Sequence, residues 1–175
     1  DRLGIATPGH AHALQKVTEA GGSISPIFAQ QSIREMTRTK RTPRDVMNDA
    51  TWGTLEVGWR AGVGADADHL KTTADIDACV QAHFSFFTID PGEHVDNRAP
   101  TLNAGDLEDA YLKLPWDGLE MRPNELERHY FTHPVSIDMA DGSKRFTFDK
   151  TTLQRAAVKY GRAIAYVAMM YRHLE

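Results

Sequence analysis

Along the first half of the chain, short apolar runs alternate with amphipathic stretches. Leu3 to Ala6 predicts a short buried strand, broken by Thr7-Pro8-Gly9, and His10 to Ala20 predicts a helix that stops at Gly21-Gly22. Ile24 to Ala29 predicts a second strand, followed by a polar loop from Gln30 to Arg41. Thr42-Pro43 marks a helix start, because Thr42 can cap and Pro43 loses no needed hydrogen bond at the first helical position. That helix is expected to reach about Ala61 and to end at Gly62 and Gly64. Val63 to Ala67 predicts a third strand of small residues, and Thr72 or Thr73 caps a helix reaching about Ala82. Phe84 to Ile89 predicts a fourth strand, closed by Asp90-Pro91-Gly92.

The pattern changes after Asn97. Leu107 to Leu112 predicts a short helix, and Pro115 to Pro123 reads as irregular. Val135, Ile137 and Met139 alternate with polar residues, as do Phe146 and Phe148, and Asp141-Gly142 between them is a hairpin signal. From Thr151 a long helix is expected. Its apolar stripe, Leu153, Ala157, Tyr160, Ile164, Val167, Tyr171 and Leu174, reads most simply as core.

Strand, loop, helix and strand in this order predict an α/β fold of parallel βα units. The expected architecture is a partial (βα)8 TIM-type barrel with a small β-hairpin insertion and a long C-terminal helix. It divides into a barrel segment over 1–97, an irregular insertion over 98–150 and the helix over 151–175. A full barrel needs about 250 residues, and this chain carries roughly half the strands. It is therefore either an open α/β sheet or a segment of a longer polypeptide, and its abrupt ends favour the segment.

Composition narrows the function classes. The 175 residues are 41% hydrophobic and 25% charged, the range of an ordinary globular chain. The net charge of -4 and a single short basic run, Arg38, Lys40, Arg41 and Arg44, make a poor nucleic-acid binder; such a run is usually a solvated loop, and it suits a small anionic ligand if the loop lies near a pocket. No apolar run approaches membrane-spanning length. The lone Cys79 excludes an internal disulfide and suits a reducing cytoplasm.

Active-site residues of parallel α/β folds sit at the carboxyl ends of strands. Each expected strand delivers polar groups there: Thr7 and His10; Gln30, Gln31, Ser32, Arg34 and Glu35; Asp66, Asp68, His69 and Lys71; Thr88, Asp90, Glu93 and His94. Within Gly64-Ala-Asp-Ala-Asp-His-Leu-Lys71, Asp66 and Asp68 point to one side of the strand. A carboxylate beside an imidazole is a metal site or an acid/base pair. The plainer alternative, equally weighted on spacing alone, is that Asp66 or Asp68 caps the next helix and His69 is a partly buried polar residue. Asp90 before Pro-Gly is more often a turn residue than a functional one.

Five stretches then share one resemblance: Asp1 to His10, Pro26 to Glu35, Asp49 to Gly53, Gly64 to Lys71 and Phe87 to His94. In order and spacing they resemble the tagaturonate/fructuronate epimerase family, whose members are much longer than this chain. The resemblance covers roughly residues 1–97 and the terminal helix. It implies an enzyme that interconverts two keto-hexuronates with a divalent cation and a small-molecule sugar acid as its partner, in keeping with the cytoplasmic location that the lone Cys79 suits. It further implies His69 as a metal ligand and Asp68 as the proton acceptor, with Ser32, Glu35 and Thr88 in the pocket.

The residue types fit that chemistry. The inverted carbon lies one bond beyond the carbon next to the ketone, so its C–H is not acidified. A retro-aldol route avoids this difficulty and needs a Lewis acid, a carboxylate base and a confined pocket. Asp68 and Glu35 are the catalytic candidates. Ser32, Arg34, Lys71, Thr88, Asp90 and His10 are the substrate-binding ones, Arg34 or Lys71 taking the substrate carboxylate. The alternatives are a metal-dependent sugar isomerase or aldolase on the same barrel, and a non-catalytic sugar-acid binding module.

Overall fold

The computed structural model describes residues 5–175. Leu3 and Gly4 of the first expected strand lie outside them, while Ile5 and Ala6 are not in a strand. The chain forms two compact units, divided at Asp90/Pro91. The segment 98–150 and the terminal segment as far as His173 share the second unit.

In the first unit the elements are α1 (Thr7–Glu19), β1 (Ile27–Ser32), α2 (Ile33–Thr39), α3 (Pro43–Glu56), β2 (Gly64–Leu70), α4 (Thr73–Gln81) and β3 (Phe86–Ile89). The three strands form one parallel sheet in the order β1-β2-β3. Three of the four expected strands are therefore adjacent, parallel and in sequence order, as short helical crossovers require.

Boundaries moved for identifiable reasons. α1 begins at Thr7, not His10, because a proline is tolerated in the first turn of a helix. β1 runs on to Ser32, and the expected loop after it contains α2. The signal for α2 was Ser32-Ile-Arg-Glu35, a capping box in which the Ser32 hydroxyl accepts from the Glu35 N–H and the Glu35 carboxylate accepts from the Ser32 N–H. α3 and α4 start at similar boxes, Thr42 with Asp45 and Thr72 with Asp75. α1 packs on α3 at Gly53, where an added Cβ would lie 2.8 Å from the Thr7 Cβ.

Paired residues of parallel strands point to the same face. Gln30, Asp66 and Phe86 pair across the sheet, as do Ser32 and Asp68. These residues share one face, which is open at Phe86, 57% exposed, and covered at Ser32 and Asp68, both buried. Ala29, Ala65 and Ala67 alternate with them and are buried.

Cys79, on α4, is fully buried, and burial pushes its thiol up to about 11 from 9.0. The folded thiol binds its proton more tightly than the unfolded one. The thiol's contribution to stability is therefore fully present below about pH 9 and is lost as pH rises from about 9 to about 11. The folded chain is expected to leave a disulfide reagent unreacted at pH 8 and to react with one equivalent after unfolding in guanidinium. Reaction of the folded chain at a free-thiol rate would contradict this.

The second unit contains single 3-10 turns at Gly92–His94 and Ala99–Thr101, then α5 (Ala104–Leu112), α6 (Pro123–Thr132), β4 (Val135–Met139), β5 (Gly142–Phe146) and α7 (Lys150–Leu174). β4 and β5 form the expected antiparallel hairpin, although Phe148 falls beyond it. α6 was not expected. Its signals were Pro123 at the helix start and Glu125, whose carboxylate accepts from the Arg122 N–H at 2.8 Å. The core joins Ala99, Leu107, Tyr111, Leu114 and Val158. The Tyr111 hydroxyl donates to the Pro123 carbonyl at 3.1 Å, and Trp116 donates to the Tyr111 carbonyl at 3.2 Å.

The terminal helix corrects one expectation. α7 buries Leu153, Gln154, Val158 and Gly161, while Tyr160 is 46% and Ile164 59% exposed. Gly161 lets the Leu114 side chain approach, and the buried positions flank the apolar stripe, one residue after it at Val158 and Gly161 and one residue before it at Ala163 and Met170. The stripe is not all core within this chain. Among the described residues no helix is long and apolar enough to cross a membrane.

Candidate active site

The site begins at the carboxyl end of β2. Asp68 continues the regular pairing with Ser32, but pairing with β3 is irregular between Ala67 and Leu70. His69 sits in that irregularity with φ +56, a left-handed conformation uncommon outside glycine and a few residues including histidine. Strict alternation would send His69 to the face opposite Asp68. The left-handed turn instead leaves its side chain 56% exposed, while the Asp68 side chain is buried. The two meet, with His69 Nδ1 2.5 Å from Asp68 Oδ1. Nε2 is then the ring nitrogen left to coordinate a cation or bind substrate.

A cleft of about 340 Å³ opens beside this pair. Ser32, Arg34, His69, Lys71 and Asp90 line it, together with Ile33 and Asp75. Five of the sequence candidates therefore come together, from the ends of all three strands. Ser32 is positioned there by its capping box with Glu35. Lys71 Nζ lies 3.9 Å from Asp90 Oδ2, across the cleft-lining ends of β2 and β3. Asp75 was missed as a cleft residue. Its signal was the capping box, and the carboxylate accepts from the Lys71 and Thr72 N–H groups at 3.0 and 2.9 Å.

Other candidates stand elsewhere. Glu35 does not line the cleft, and one of its carboxylate oxygens accepts from the Ser32 N–H at 3.0 Å. Asp68 lies behind His69, and Thr88 lies on β3, where its hydroxyl donates to Asp66 Oδ1 at 2.9 Å. Burial raises the Asp66 carboxyl above its ordinary value; the Thr88 hydrogen bond opposes that shift, and the Asp68 charge adds to it. His10 is exposed on α1, outside the cleft lining. Glu93 and His94 belong to the second unit, where His94 stacks on Tyr166 with ring centroids 3.9 Å apart.

The donor set can be compared with what a divalent cation needs. An imidazole backed by a carboxylate through its other nitrogen is the usual arrangement of a metal-bound histidine. His69 and Asp68 fit that pattern. Among the described residues no group of three or more His, Cys, Asp and Glu could hold an ion. The residues here fit one ligand and its supporting carboxylate.

Comparison with known proteins points to one class, the hexuronate epimerases. A family model described as tagaturonate epimerase, UxaE, matches residues 1–175. A tagaturonate/fructuronate epimerase of Thermotoga maritima is 39% identical over 175 residues, all of this chain and 33% of that protein. The glycerol-complexed crystal structure of the fructuronate-tagaturonate epimerase UxaE from Cohnella laeviribosi superposes with a TM-score of 0.75 at 34% identity, covering 98% of this chain and 32% of that one. The native crystal structure of the same enzyme gives 0.74 at 33% identity, with the same coverage. The chain belongs to the tagaturonate epimerase family, and it spans about a third of the length of these relatives. The relatives are named as epimerases, which are isomerases.

Proposed function

We propose that the protein carrying this chain epimerises a keto-hexuronate, interconverting tagaturonate and fructuronate. The first unit then forms part of the wall of a (βα)8 barrel. The observation that carries this reading is the Asp68–His69 pair at the carboxyl end of β2, above a cleft that also presents Arg34 and Lys71. Support for the substrate class comes from the names of the relatives.

In this reading His69 offers Nε2 as one ligand of a divalent cation. When bound, that cation supplies Lewis-acid stabilisation of oxyanion charge. Asp68 accepts the hydroxyl proton at the inverted carbon. The bond from that carbon to the one next to the ketone breaks, and its electron pair passes to the ketone oxygen. The aldehyde half turns over, the bond re-forms on its other face, and Asp68 returns the proton. Arg34 or Lys71 takes the substrate carboxylate as a charge-assisted hydrogen-bond donor. Ser32 and Asp90 bound the cleft, and Glu35 holds Ser32 in place. His10 contributes on the substrate side only if other parts of the protein bring substrate to α1.

The test is conversion of either keto-hexuronate by the full-length protein, before and after dialysis against a chelator. Turnover that vanishes with the metal and returns on adding a divalent cation is the expected result. Binding without turnover under all metal conditions would replace the enzyme by a sugar-acid binding module.

A further inference from the structure

The sheet face that carries Asp68 holds a second carboxylate that the preceding mechanism does not use. Asp66 lies two residues before Asp68 on β2, and the two point to the same face because both pair in regular register with β1. Across the sheet its hydrogen-bonding partner is Thr88 on β3, whose hydroxyl donates to Asp66 Oδ1 at 2.9 Å. Thr88 Oγ1 carries one proton, and that proton is committed to Asp66. Thr88 is therefore poorly placed to donate to substrate and well placed to fix a carboxylate rotamer. Asp66 is half-buried, so its side chain is neither sealed in the core nor loose in solvent.

A fixed carboxylate on a half-buried sheet face accepts hydrogen bonds from hydroxyl groups, and a keto-hexuronate presents several. Oδ1 is oriented by Thr88, which leaves Oδ2 and the second lone pair of Oδ1 to accept. The neighbouring Asp68 charge disfavours an anion at this point and favours a neutral, proton-donating group. Arg34 and Lys71 line the cleft, whereas Asp66 and Thr88 do not; Asp66 stands on the same face as Asp68, two residues from it on β2.

We propose that Asp66 is a substrate-binding carboxylate that holds hydroxyl groups beside the reacting carbon, with Thr88 as its positioning residue. This deepens the epimerase reading and rests on it. A hydrogen bond to a charged acceptor made with substrate sets the expected loss at about tenfold to a hundredfold in kcat/KM.

The experiment measures kcat and KM for tagaturonate and fructuronate in the full-length protein and its Asp66→Asn, Asp66→Ala, Thr88→Val and Thr88→Ser variants. Asp66→Asn and Asp66→Ala are expected to lose about tenfold or more in kcat/KM, mostly in KM, with an unchanged melting temperature. Thr88→Val, which keeps the side-chain shape, is expected to lose severalfold, and Thr88→Ser to recover most of it because it restores the hydroxyl. A purely structural role would lower the melting temperature and leave KM alone. Should the Asp66 variants not fold, the Thr88 pair decides by the same KM comparison. Wild-type kcat/KM in both Asp66→Asn and Thr88→Val overturns the inference, as do equal losses in Thr88→Val and Thr88→Ser. A wild-type protein inactive on both sugars with metal present overturns the epimerase reading itself, a result separable from either of these.

Discussion

His69→Ala is expected to remove metal-dependent turnover of keto-hexuronates by the full-length protein, a loss of about a thousandfold or more. The size follows from the chemistry: Lewis-acid stabilisation supplies several kcal/mol, and each 1.36 kcal/mol is about tenfold in rate. The residue is half-exposed on the cleft, and its polar partner among the described residues is Asp68, so its side chain contributes little to the core. Its backbone complicates the test. At φ +56 alanine is less at ease than histidine, so part of any loss could come from a displaced loop. His69→Asn separates the two effects, because asparagine tolerates the left-handed region but offers no imidazole. Both variants should show the same loss, together with reduced divalent metal after dialysis. Normal turnover by either one, with metal retained, removes His69 from the site.

The sequence made the strand-end logic of the first unit legible because parallel βα units signal themselves twice. Apolar runs mark the strands, and polar clusters mark their carboxyl ends. Ser32, Arg34, His69, Lys71 and Asp90 converge on one cleft for that reason. What was less legible depended on short-range geometry. Ser32 and Glu35 are hydrogen-bonded to each other as a capping box, so both were visible as polar residues while the helix between them was missed. The position of His69 depends on one left-handed residue and a register irregularity, neither of which strand alternation encodes. Asp66 and Thr88 are 22 residues apart, and their contact requires the pairing of β2 with β3. In the second unit, the stripe on α7 was correctly periodic, but periodicity does not say which flank a neighbouring Leu114 will claim.

Asp68→Asn is expected to keep the metal and lose about a hundredfold to ten-thousandfold in kcat, the range for removing a general base. Asparagine is nearly isosteric with aspartate, and its amide oxygen can still accept from a protonated Nδ1 of His69. The imidazole orientation seen here, with Nδ1 toward residue 68, should therefore survive. The amide cannot take a hydroxyl proton at any accessible pH, so raising the pH should not restore the rate. Asp68 is buried, so the melting temperature and bound metal must be measured beside the kinetics. Loss of rate at constant metal content and stability assigns Asp68 to proton transfer. Loss of rate in proportion to loss of metal would instead make Asp68 a supporting partner of His69 and nothing more. A rate within severalfold of wild type would remove it from the mechanism, and the base would have to be sought among carboxylates outside the Asp68–His69 pair.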